Sequence, residues 1–346
     1  MGGALLALGS AALFGASTPF AKIMLGNAEP LVVAGLLYLG SGVGLATYWL
    51  ARGGLHRGFG LAPFDWPWLA ASVVLGGVLA PALLMFGLRL TPAAEASLLL
   101  TLESVLTALL AWVVFRESTD RRIVAGMVMI VLGGVVLAWP AQGRGEMMAL
   151  TGPLSIAAAC LCWALDNNAT RIVSGGDAVF IAGFKGLVAG ACNALLALAT
   201  GTPWPAAPVA SATMLLGLLG YGVSLVLFVL ALRALGTART GAYFSTAPFI
   251  GAAIAIAILH EPTTLAFWIA GALMAVGVWI HLSEHHEHEH THVAVAHDHW
   301  HVHDDHHQHA HEFEWDPRRP HAHAHAHEPL THTHVHFPDL HHRHRH

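Results

Sequence analysis

Charge is what this chain lacks most. Asp, Glu, Lys and Arg make up 11% of its 346 residues, against 55% hydrophobic residues and a mean hydropathy of +0.59. A water-soluble domain of this length cannot hide so much apolar surface, which leaves a membrane-embedded chain. Cysteine is scarce as well. Cys160, Cys162 and Cys192 all lie within apolar stretches, which excludes a disulfide framework or a zinc ribbon and suits small core residues. No G-x-x-x-x-G-K-[ST] loop occurs, so nothing supports ATP-driven pumping. HExxH and GxSxG are missing too, and the chain reads as a non-enzyme. Nucleic acid is not an expected partner. The apolar runs are continuous and do not alternate with period two, which excludes a membrane β-barrel.

What is present is a series of apolar spans. They run over 2–25, 30–50, 67–88, 92–115 and 123–139, then, after the polar break AQGRGEM, over 152–173, 178–200, 210–235, 240–259 and 265–282. Each approaches the roughly 20 residues that carry an α-helix across the hydrocarbon core. The first span lacks a cationic start and a cleavage-like site, so it reads as a retained helix and not as a signal peptide.

The stretch RLTPAAEASLLLTLESVLTALLAWVVFRE, Arg89 to Glu117, has an echo 144 residues later in RALGTARTGAYFSTAPFIGAAIAIAILHE, Arg233 to Glu261. Each opens on an Arg, passes a turn signal and closes a span on Glu. The expected fold is therefore an all-α polytopic membrane protein of ten transmembrane helices in two five-helix repeats, 1–140 and 151–282. Five is odd, so the second repeat enters the bilayer inverted. With the N-terminus inside, the cytoplasmic loops take Arg52, Arg57, Arg116, Arg121, Arg122, Arg171, Arg233 and Arg239, and the outer loops take only Arg89 and Arg144. That asymmetry places both termini in the cytoplasm of a bacterial-type inner membrane. Pro19, Pro81 and Pro248 fall inside spans, where they serve as packing kinks or as hinges.

Ionisable groups inside the spans are few. Glu103, near the middle of its span beside Thr101, Ser104 and Thr107, reads as a proton-coupling or cation-binding group, or as a neutral structural hydrogen-bonder. The run Trp163-Ala164-Leu165-Asp166-Asn167-Asn168 puts three polar side chains on most of one turn, and they cannot all face lipid. They form a polar floor for solute or coupling ion, with Lys22 or Lys185 as counter-charge, or a plug tying the sixth helix to its neighbours. Lys185 pairs with Asp166 or, the favoured reading, snorkels towards the cytoplasm. Tyr243, before Pro248, suits a pathway wall. Glu95 reads as interfacial, and Glu117 and Glu261 as architectural.

The segment 283–346 holds 24 of the 27 histidines in patterns such as HEHEHTH and HAHAHAH, mixed with 11 Asp and Glu and no cysteine. Imidazoles and carboxylates without thiolates suit divalent Ni, Zn, Co or Cu(II). His285, His286, His288, His290, His292, His321, His323, His325 and His327 are the collective ligands of an expected disordered metal-binding tail, or of a pH-responsive polycation.

Helix count, the echo between halves, and Glu117 and Glu261 ending the fourth and ninth helices resemble the EamA-like branch of the drug/metabolite transporter superfamily over residues 1–282. The resemblance implies a cavity between the halves lined by the fourth and ninth helices, alternating access, no cofactor, and export of small metabolites. The histidine tail lies outside that pattern. The function expected is a secondary transporter moving a small solute, by proton or solute gradient, with the lipid bilayer as its medium and a homodimer as an allowed assembly. The competing expectations are a Ni/Co/Zn exporter fed by the tail and a membrane anchor for a metal-storing tail.

Overall fold

The computed structural model describes residues 2–54, 59–115, 121–139, 146–173, 175–282, 287–292, 296–301, 321–326 and 330–335. The chain divides into a helical unit, Met1–Glu284 with Pro338–His346, and a second unit, His285–Phe337. Among the described residues, eight helices are long and apolar enough to cross a membrane. This is a multi-pass membrane protein.

In chain order the helices are α1 (Gly2–Leu25), α2 (Pro30–Ala51), α3 (Trp66–Ser72), α4 (Ala80–Leu90), α5 (Ala93–Leu99), α6 (Leu102–Phe115), α7 (Arg121–Ala138), α8 (Glu146–Val173), α9 (Ala178–Ala199), α10 (Ala207–Gly217), α11 (Ser224–Phe244), α12 (Ala247–Leu259) and α13 (Leu265–Leu282). A π-helical segment, Val73–Leu79, joins α3 to α4, and a second, Leu218–Val223, joins α10 to α11. Apolar side chains such as Leu5, Val113, Leu195, Leu265 and Trp279 stand exposed on the outside of the bundle, as a lipid-facing surface requires.

Local chemistry sets the helix starts. Pro30 opens α2, where its missing N–H costs nothing. Asp177 caps α9, its carboxylate accepting from the Val179 and Phe180 amides at 2.9 and 3.0 Å, while Arg52 at the end of α2 pairs with the same side chain. That pair pins α2 to α9, which pack along each other closely. Close approach needs glycine here: a Cβ on Gly186 would sit 2.5 Å from the Gly42 amide nitrogen.

Helices pair mainly across the two sequence halves. α2 lies on α9, α7 on α13, and α5 on α12; α1 packs on α11 and α12, and α8 packs on α4 and α6. Two irregularities recur at matching places. The π segment beginning at Val73 has its counterpart at Leu218, and the turn at 100–101 between α5 and α6 has its counterpart at 245–246 between α11 and α12. Both offsets are 145 positions, one more than the echo in the sequence.

These breaks differ from the sequence expectation of unbroken spans over 92–115 and 240–259. At the first, the Thr101 hydroxyl donates to the Leu98 carbonyl at 2.7 Å; at the second, Thr246 donates to the Tyr243 carbonyl at 2.7 Å. A hydroxyl bonded three residues back competes with the helix ladder. Pro248, which has no N–H, follows the second turn at the start of α12.

The tail is expected to be irregular. Its described residues form two antiparallel pairs, β1 (Glu287–His292) with β4 (Leu330–Val335) and β2 (Ala296–His301) with β3 (His321–Ala326). The His-x-His-x alternation that marks these segments is also the period of a strand. The register sets His288 opposite His334, His290 opposite His332, His297 opposite His325, His299 opposite His323 and His301 opposite His321. His285, His286 and His327 lie outside the described residues.

Candidate functional site

Glu103 is the second residue of α6, directly after the turn that breaks the helix. Its backbone N–H reaches the Leu100 carbonyl at 3.1 Å, and Ser104 folds its hydroxyl onto the Thr101 carbonyl at 2.8 Å. The break therefore presents Glu103 at the head of a new helix, where negative charge is favoured. Asn167 of α8 donates its side-chain amide to the Glu103 carboxylate at 2.8 Å. An ionisable group inside a bilayer-spanning bundle is a candidate for function.

One position before Asn167, Asp166 turns to a different set of partners. Lys185 of α9 forms an ion pair with it, both side chains nearly fully buried. Ser72 donates at 2.5 Å and Thr170 at 3.0 Å to the remaining carboxylate oxygen. Lys185 thus does not snorkel. Its 4% exposure and its partner correct that reading: the ammonium is buried, and a buried charge needs the counter-charge that Asp166 provides. Asp166 thus has Lys185, Ser72 and Thr170 as partners.

Gly76, in the first π segment, lets Asp166 come this close: a Cβ there would overlap the carboxylate. The Gly76 carbonyl, unlinked from regular α-helical pairing, accepts from the Tyr38 hydroxyl at 2.7 Å and from the Trp163 indole at 3.1 Å. Trp163 lies one turn from Asn167 on the same face of α8. Its ring meets Phe14 edge-on at 5.8 Å; Phe14 in turn contacts Tyr221 at 5.7 Å and Phe244 at 5.4 Å, and Tyr38 contacts Tyr221 at 5.3 Å. Trp163, Tyr38 and Tyr221 are buried and Phe14 and Phe244 half-buried, so the rings form a packed aromatic cluster drawn from both halves, one turn along α8 from Asn167. The Tyr221 hydroxyl is buried and lies beside Ser17.

Two further residues singled out in the sequence lie elsewhere. Lys22 does not reach Asp166; it donates to the Leu88 and Thr91 carbonyls at 2.5 and 2.9 Å at the end of α4. Glu261, after α12, accepts from the Ala93 and Ala94 amides at 2.8 and 2.7 Å. Asn168 bonds its own helix at the Ala164 carbonyl, 2.8 Å away. Tyr243 is half-buried, while its neighbour Phe244 joins the aromatic wall. Glu117 lies outside the described residues, as does the side chain of Arg171.

The model of the EamA-like transporter family matches residues 1–139 and 150–283. The chain belongs to the EamA-like transporter family. An uncharacterized transporter of Methanothermobacter thermautotrophicus (strain Delta H) is 30% identical over 286 residues, covering 77% of this chain and 82% of that one. A crystal structure superposes with a TM-score of 0.61 at 24% identity, covering 80% of this chain and 94% of its own, and shares the fold. This EamA-like chain is thus a transporter. The sequence missed four members of its site: Phe14, Tyr38, Gly76 and Tyr221. Only the Gly76-Gly77 pair and the sequence Gly-Tyr-Gly at 220–222, both marking irregular helix, carried a signal for them.

Proposed function

We propose that the protein is a secondary transporter of a small solute, working by alternating access of two inverted five-helix halves and exchanging solute for a proton at Glu103. One observation carries the reading: Glu103 sits at a helix break that recurs at the matching place of the other half, and accepts a hydrogen bond from Asn167. Discontinuous helices at corresponding positions of two repeats are where secondary transporters place their binding sites. Support for the inverted halves comes from the cross-half pairing of α2 with α9, α7 with α13 and α5 with α12, and from the family match falling in two segments. The π segments supply the places where α3–α4 and α10–α11 can flex, since such turns leave backbone groups free to exchange partners. Lys22 and Glu261 close one end of the bundle, tying α1 to α4 and α12 to α5. In the orientation that loop charge favours, that end faces outwards.

The test uses inside-out vesicles holding a proton gradient read by a quenched amine dye. Solutes from a metabolite library are added one at a time to vesicles with wild-type protein or Glu103→Gln. The reading requires a solute that dissipates the gradient with wild-type protein and not with the variant. A solute equally effective with both removes the proton role of Glu103.

The register of β1–β4 favours a second activity for the tail. A pairing that sets histidine opposite histidine along the chain collects the residue types that ligate Ni, Co or Zn. In this reading the tail collects cytosolic metal, and export of that metal through the helical unit is the alternative to an organic solute. Metal accumulation in cells expressing the full chain, residues 1–282 or full-length Glu103→Gln separates the cases. Export lowers cell metal only with the tail and Glu103 both intact. Buffering follows the tail alone.

A further inference from the structure

The register of the tail strands sorts their residues by chemistry. His297, His299 and His301 of β2 stand opposite His325, His323 and His321 of β3, while Asp298 and Trp300 stand opposite Ala324 and Ala322. Successive residues of a strand lie on opposite faces, and directly opposed residues share one. This register therefore gathers six histidines on one face and Ala, Asp and Trp on the other. β1 and β4 repeat the arrangement with two opposed pairs, His288 with His334 and His290 with His332. The intervals 293–295 and 327–329 are equal in length, so the two limbs stay in step from one strand pair to the next. Histidines fall on even positions in β1 and on odd positions in β2, which makes two groups of them and not one strip.

Pairing of these strands has little to stabilise it from within. A two-stranded ladder is marginal in water, and the residues between the histidines are mostly Ala, Thr, Asp and Glu, with little apolar area to bury. Opposed imidazoles add none, and they repel once protonated. A divalent transition ion changes the balance. Directly opposed residues have Cβ atoms about 4.5–5.5 Å apart, which lets two imidazoles share one ion. Two neighbouring opposed pairs supply the four nitrogen ligands of a tetrahedral zinc site, two from each limb. In the helical unit, by contrast, no three described His, Cys, Asp or Glu residues come together.

We propose that the tail is a clasp closed by divalent transition metal, with one ion held among the histidines of β2 and β3 and a second among those of β1 and β4. The β2–β3 group has three opposed pairs against two, so it fills first. Its ligands come from limbs distant in sequence. Binding and strand pairing are therefore one event, and the affinity for metal is the folding energy of the tail. This rests on the reading of the tail as a metal collector and adds that the ion orders what it binds. Metal-loaded and metal-free tails then differ in shape, which makes the collector a reporter of metal as well.

The experiment uses the full-length protein in detergent, with Cys160, Cys162 and Cys192 changed to Ser and nitroxide labels on two introduced cysteines. Ala296→Cys with Ala326→Cys marks an opposed pair, and Ala296→Cys with Ala322→Cys marks positions four residues out of register. In EDTA neither pair should show dipolar broadening. Two equivalents of Zn(II) should broaden the first pair strongly and the second weakly. His299→Ala with His323→Ala should raise the zinc concentration for half of the broadening about tenfold. The control His306→Ala with His307→Ala removes as many histidines outside the strands and should leave that concentration unchanged. Equal broadening in EDTA and in zinc, equal broadening of the two label pairs, or equal effects of the two histidine variants overturns the proposal. Zinc retained in dialysis without broadening removes the clasp and keeps the collector; no zinc retained removes both.

Discussion

Lys185 neutralises Asp166 inside the bundle, and that pairing leaves Glu103 with the Asn167 amide as its hydrogen-bond partner among the described residues. Breaking a buried pair strands a charge, which costs about 3–5 kcal/mol, whereas replacing both partners is close to neutral. Asp166→Asn and Lys185→Met should each lower the unfolding midpoint in detergent markedly, and the double variant should recover most of the loss. Two additive single losses would show that the residues do not act as a pair.

Gly76→Ala tests the first π segment. Its new methyl would overlap the Asp166 carboxylate, so the variant should unfold earlier and transport poorly. Gly175→Ala, whose methyl meets nothing within 4 Å, is the control and should stay within about 0.5 kcal/mol of wild type. Matching behaviour of the two variants would contradict the packing described.

How much of this could be read from the chain itself differs by residue. The spans and the two-part echo were legible because lipid selects for composition and length, which sequence displays directly. Glu103 and Asp166 were legible because charge inside apolar runs is rare. Of their partners, Lys185 was legible for Asp166 only as one of two alternatives, and Asn167 was not legible for Glu103. Nothing in sequence says that Lys185 turns inward to Asp166 while Lys22 turns to the carbonyls of α4, since either long side chain can reach several places. The breaks at 100–101 and 245–246 also escaped: Thr101 is an ordinary helix residue until its hydroxyl is seen on the Leu98 carbonyl. The aromatic wall joins Phe14, Tyr38 and Tyr221 across three distant segments, a proximity only the fold creates.

Glu261 joins the two halves at one end through the Ala93 and Ala94 amides. Losing such a cap costs about 1 kcal/mol, equivalent to a shift of about fivefold in an opening equilibrium. Glu261→Ala should therefore speed labelling of a cysteine placed at Ser97, applied from that end, by about that factor. An unchanged labelling rate would remove Glu261 from closure.

The tail should bind Ni(II) in equilibrium dialysis, and the chain ending at residue 282 should not. Imidazole coordinates only when neutral, so binding should rise with pH and be half lost near pH ~6.5. Binding that persists undiminished at pH 5 would assign it to the carboxylates instead.

The most direct test of the central claim is a proton count. A solute found active in the vesicle screen is added to the full-length protein in weakly buffered detergent solution, with released protons read by an indicator dye. The account predicts release from the wild-type protein and from Lys22→Gln, and none from Glu103→Gln. Equal release from wild type and Glu103→Gln would contradict it and move the proton to another group.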